Sequence, residues 1–149
     1  MPEGVKHREA NPDWDAQGIA DEARKEEVIV ARLRDQGPPF KHAREKGLKI
    51  AMGTDQSHRL LTGENLVELA YMVEFLGMTP MEAIQAATIN AARLLKRDNE
   101  FGALVVGRSA DLIAVAGNPL ENVRTLENVG FVMKQGEVFK DELSGSASR

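Results

Sequence analysis

The sequence predicts an α/β chain with a small all-β appendage at its carboxyl end. Three observations point there. A short, largely apolar run, Leu48-Lys49-Ile50-Ala51-Met52-Gly53, is bounded by Gly47 and the polar pair Thr54-Asp55, as a strand buried on both faces would be. Apolar stripes of helical period lie before and after it. Beyond Gly102 the texture changes to short apolar runs separated by turn residues.

Of the first 46 residues 19 are charged, so the front of the chain reads as solvent-washed helix and loop. Ile19, Ala23, Val30 and Leu33 share one narrow helical stripe, and Gly37-Pro38-Pro39 is expected to stop that helix. A short helix through Phe40, Ala43 and Arg44 then ends at Gly47, in a C-cap position. The 48–53 run follows as the buried strand. Leu66, Leu69, Ala70, Val73 and Leu76 form the stripe of the next helix, closed by Gly77. Thr79-Pro80-Met81-Glu82 is a helix start, with Thr79 as N-cap, Pro80 in the first position and Glu82 completing a capping box. That helix is rich in alanine and is expected to break near Thr88 before resuming through Ala91 and Leu94. Leu112-Ile113-Ala114-Val115, Phe131-Val132-Met133 and Val138-Phe139 are separated by Gly107, Gly117-Asn118-Pro119 and Gln135-Gly136. They read as a small antiparallel sheet. With the boundary between Arg97 and Gly102, the expected division is 1–100 and 101–143, with 144–149 a disordered tail.

Composition narrows the function. The chain has 149 residues, 42% hydrophobic and 28% charged, with a net charge of -4, which is ordinary globular material. An acidic chain without a basic patch is a poor partner for nucleic acid or an anionic membrane. No apolar run approaches the roughly 20 residues of a membrane span. Cysteine is absent, which removes disulfides, thiolate nucleophiles and zinc-thiolate sites together. Met1-Pro2-Glu3-Gly4 lacks the basic start and apolar stretch of a signal peptide; that bears on localisation only if Met1 is the natural start, and the cytoplasm is slightly favoured.

Chemistry in parallel α/β architectures sits at the carboxyl ends of the strands, where Thr54-Asp55 falls. A carboxylate there can ligate a metal or act as a general base; it can equally cap the next loop, and spacing alone favours the cap. His58 is three residues further on, in the loop that would line a strand-end pocket, although an exposed loop histidine is the simpler reading. His7 and His42 read as surface residues, since no two histidines have a metal-sharing spacing. Asp111 reads as a turn or strand-entry residue, Asp21 to Glu27 as a solvated helix face, and Trp14 and Phe75 as packing residues. No phosphate-loop, dinucleotide or Gly-x-Ser-x-Gly pattern is present. A hydrolytic zinc needs about three protein ligands, and this chain offers one well-placed carboxylate.

The segments nevertheless form an ordered series. Lys49-Ile50-Ala51-Met52-Gly53-Thr54-Asp55 is followed by Gly63-Glu64-Asn65-Leu66, Thr79-Pro80-Met81-Glu82-Ala83-Ile84 and Ala87-Thr88-Ile89-Asn90-Ala91-Ala92-Arg93-Leu94-Leu95. Then come Gly107-Arg108-Ser109-Ala110-Asp111-Leu112, Gly117-Asn118-Pro119-Leu120 and Val132-Met133-Lys134-Gln135-Gly136. In this order, from Phe40 to Leu143, they resemble the carboxyl-terminal third of the amidohydrolase superfamily, in its imidazolonepropionase-like and Xaa-Pro dipeptidase (prolidase)-like branch.

The resemblance implies that Gly53-Thr54-Asp55 ends the eighth strand of a (β/α)8 barrel. It implies that Asp55 is the catalytic aspartate, contacting a divalent metal, expected to be zinc, or its bound water. Ser57 and His58 would lie beside the substrate, a small molecule or dipeptide-like amide. Residues 101–143 would be the last strands of a small β-sandwich domain. Two departures from the family pattern stand out: Thr62-Gly63 replaces a His-Gly, and Lys96 stands where a glycine is common, so the turn before Gly102 is expected to be slightly rebuilt. The family's other metal ligands have no counterpart in residues 1–47, and a barrel needs about 250 residues. The expectation is therefore a piece of a hydrolase, inactive alone, that self-associates, binds a complementary chain or stays partly molten. The alternative is a non-catalytic oligomerisation or partner-binding module.

Overall fold

The centre of the fold is set by the start at Thr79. In the computed structural model, which describes residues 16–54 and 64–143, the Thr79 side chain accepts from the Glu82 amide while Glu82 accepts from the Thr79 amide at 2.7 Å. This closed capping box opens α3 (Pro80–Ala87). Arg44 adds an ion pair to the same Glu82 and donates to the Gly77 carbonyl at 2.8 Å. The Thr79 amide, then the Arg44 and Thr79 side chains, hold the Glu82 carboxyl down to about 2. The helix breaks at Thr88 as the sequence predicts, and α4 (Ile89–Leu94) resumes at once.

The first helix departs from expectation. α1 (Ala16–Glu45) runs through Pro38 and Pro39 without stopping. Proline removes two donors from the ladder, but contacts fasten the helix on both sides of that loss. Before it, the Arg34 guanidinium lies 5.6 Å from the Phe75 ring centre. After it, Phe40 packs on the core and Arg44 ties to Gly77 and Glu82. Gly37 sits so close to the Phe75 carbonyl that an added Cβ would lie 2.7 Å from its oxygen. α1 ends as read, with Gly47 at φ +80 and paired Leu48→Ala43 and Gly47→Arg44 backbone bonds, a Schellman closure.

A 3₁₀ turn at Glu64–Leu66 leads into α2 (Val67–Glu74). Leu69, Ala70 and Met72 from α2 meet Met78, Ala83 and Ala86 in the buried core, joined by Val123 and Leu126. The last two come from a second 3₁₀ turn, Val123–Glu127, that sequence periodicity does not reveal. Arg124 clamps that turn to α2 through two bonds to Glu74, of 2.8 and 2.9 Å. The helical and β segments thus share one core.

The sheet is antiparallel, in the order β1 (Leu112–Val115), β2 (Val129–Lys134), β3 (Glu137–Asp141). Gln135 and Gly136 have φ of 52 and 83 and join Lys134 to its partner Glu137. Two left-handed residues between paired neighbours are what a tight hairpin demands. Asp111 fastens the turn to β1, accepting from the Gln135 amide at 2.7 Å and the Ser109 hydroxyl at 2.8 Å. Those bonds, the amide first, hold its carboxyl below the usual range, so Asp111 is the turn residue the sequence predicts.

α4 closes through Lys96, whose φ is 57. The Lys96→Arg93 and Arg97→Ala92 backbone bonds repeat the Schellman pattern seen at Gly47, so the chain keeps the closure and accepts a left-handed lysine. Such a conformation costs a side-chain-bearing residue about 1–2 kcal/mol, while glycine gives back about 0.5–1 kcal/mol in backbone entropy. Lys96→Gly is therefore expected to stabilise the chain by about 0.5–1 kcal/mol, read as a rise in the urea midpoint with unchanged slope.

Candidate functional site

The run from Leu48 to Thr54 leads directly to Asp55 and so defines the candidate site. It carries no regular secondary structure, where a strand over 48–53 is expected. The reason lies in its partners. A strand exists by bonding to another strand, whereas this run bonds to helices. The Met52 amide donates to the Ala86 carbonyl at 3.0 Å. The Asn90 side-chain amide donates to the Ile50 carbonyl at 3.2 Å. Ile50 and Met52 pack against the helical core, while Leu48 is 62% exposed.

The Gly53 amide donates to the Glu68 carboxylate. Glu68 is half-buried on α2, and burial pushes its carboxyl up while that amide bond opposes the shift. Sequence reading passed over this residue. The available signal was its place four residues before Met72, on the buried side of α2, where an acid must find a donor.

Asp55, Ser57 and His58 lie outside the described residues, as do His7 and Trp14. His42 is exposed on α1, in keeping with its surface reading. Phe75 packs against Tyr71, with ring centres 5.6 Å apart. Among the described residues no three His, Asp or Glu side chains converge on a point where a metal could bind. Asp55 could supply one carboxylate, and a hydrolytic metal takes about three ligands from protein.

Comparison with known proteins decides the family. The profile of the amidohydrolase family matches residues 9–139. The chain belongs to the amidohydrolase family. Its relatives within the family include an ochratoxinase from Aspergillus niger, 39% identical over 105 residues that make up 68% of this chain and 21% of the relative. An imidazolonepropionase from Alkaliphilus oremlandii is 39% identical over 102 residues, 66% of this chain and 24% of the relative. Among solved structures, a Xaa-Pro dipeptidase with bound methionine aligns with a TM-score of 0.62 at 47% identity, covering 70% of this chain and 25% of that one. The imidazolonepropionase-like and prolidase-like character is therefore shown. The chain spans about a fifth to a quarter of the length of these relatives.

Proposed function

We propose that this chain is the carboxyl-terminal part of a metal-dependent amidohydrolase that cleaves an amide or peptide-like bond, and that it is inactive alone. In this reading residues 48–54 are the eighth strand of a (β/α)8 barrel whose other strands come from outside the chain. Residues 101–143 are the last strands of a small β-sandwich. The observation that carries the reading is the family match across 9–139, which spans Gly53-Thr54-Asp55 and the helices that hold the run before it.

Family members generally use divalent metals, and zinc is the ion proposed here. Held by ligands contributed mainly from outside this chain, the metal would activate a water for attack on the amide carbonyl. Asp55 accepts the proton of the attacking water and returns it to the leaving nitrogen. Ser57 and His58 contact the substrate beside it. The relatives' names, a dipeptidase and an imidazolonepropionase, favour a small amide or dipeptide-like substrate.

A second reading, a non-catalytic partner-binding module, takes support from the exposed apolar residues. Leu94, Leu95, Leu104, Val105 and Val106 are each more than half exposed, as an interface would be. One experiment separates the two. The chain is mixed with a complementary segment of a relative carrying the rest of its barrel and metal ligands, and hydrolysis of a dipeptide and of a cyclic amide is followed. Turnover by the pair and by neither chain alone is the expected result. A well-folded pair without turnover would favour the binding module, and hydrolysis by this chain alone would overturn both.

A further inference from the structure

The helix break at Thr88 does more than redirect the chain. On its near side the Ala86 carbonyl accepts from the Met52 amide, and on its far side the Asn90 side chain donates to the Ile50 carbonyl. The two bonds straddle Ala51, so the run is gripped at adjacent backbone groups from the helix side. Arg93 fixes which way the Asn90 amide faces. Its guanidinium donates to Asn90 Oδ1 at 3.4 Å, leaving the Nδ2 donor for Ile50. The break itself is locked by the Thr88 hydroxyl, which donates to the Ile84 carbonyl at 2.7 Å, and by Gly102 packed behind it.

We propose that Asn90 is a positioning residue: with the Ala86 carbonyl it holds the 50–52 run on either side of Ala51 and so sets the direction in which Thr54 leads into Asp55. The inference rests on the reading of Asp55 as the catalytic aspartate. A carboxylate that must meet a reacting water within hydrogen-bond reach needs a backbone that does not swing. Hydrogen bonds three and five residues upstream of Asp55 supply that constraint without touching the substrate.

The test uses the full chain with Asn90→Ala and Asn90→Asp. Asp has the shape of Asn but presents a carboxylate that cannot donate to Ile50. Amide exchange is read at Met52, with Ala83 in α3 as the internal reference, and N–H residual dipolar couplings are read at Gly53 and Thr54. Both variants are expected to lower Met52 protection about three- to tenfold and to change the couplings, with Ala83 unmoved. In the pair assembled with the complementary segment, kcat is expected to fall about ten- to hundredfold with KM unchanged. If Asn90→Ala does not fold, the near-isosteric Asn90→Asp decides. Native Met52 protection in Asn90→Asp would reduce Asn90 to a space filler and overturn the proposal. Loosening of the run with kcat unchanged would overturn it as well. A pair that is inactive even with Asn90 intact overturns the reading of Asp55, and the positioning role with it, while the exchange data still show whether the run is held.

Discussion

Asp55→Asn is expected to reduce kcat/KM of the assembled pair about 10²–10⁴-fold, the range in which a positioned proton acceptor contributes. Asparagine keeps the size of the side chain and an oxygen acceptor, but it cannot take a proton from water. The substitution therefore separates proton transfer from packing. The pair should still assemble, and the far-ultraviolet circular dichroism of the chain should be unchanged. Full activity in the variant would remove Asp55 from the chemistry and leave it as a loop cap.

The largest expected effect on stability is at Gly102. Its φ is +90, and a Cβ there would lie 2.8 Å from the Ala92 Cβ and 3.1 Å from the Ile89 Cα. Neither atom can swing aside, because one is a methyl fixed to α4 and the other is backbone. Gly102→Ala combines the left-handed penalty of about 1–2 kcal/mol with overpacking of about 1–3 kcal/mol. A loss of roughly 2–5 kcal/mol is expected, measured by urea unfolding. Gly107 is the control. It has the same φ of +90 but open space around its Cβ position, so Gly107→Ala should show only the conformational part. Equal losses in the two variants would mean that contact with α4 contributes nothing.

Local chemistry was the most legible part of this chain. The capping box at Thr79, the break at Thr88, the closures at Gly47 and Gly77 and the Gln135-Gly136 turn each depend on residues within about six positions of one another. The structure has all of them. What failed to show was decided at a distance. Gly37-Pro38-Pro39 reads as a stop, yet Phe75, Gly77 and Glu82, each more than 30 residues away, fasten both sides of it. The 48–53 run has a strand's composition, but composition does not say what its amides will bond to, and here they bond to helix ends and to Asn90. Lys96 shows the converse case: the glycine is gone but the left-handed closure remains. For the site, the sequence pointed to Asp55 through its place after the run, while Glu68 was hidden because its donor, the Gly53 amide, is visible only in three dimensions. Ser57 and His58 remain assignments by resemblance, outside the described residues.

Metal content tests most directly whether this chain is one contributor to a shared centre. Zinc, manganese and cobalt would be quantified across the size-exclusion peak, with light scattering, for the chain alone and for the assembled pair. The expected result is no stoichiometric metal on the chain alone and about one or two ions per pair. A sharp peak of the chain alone holding one zinc per chain would contradict it.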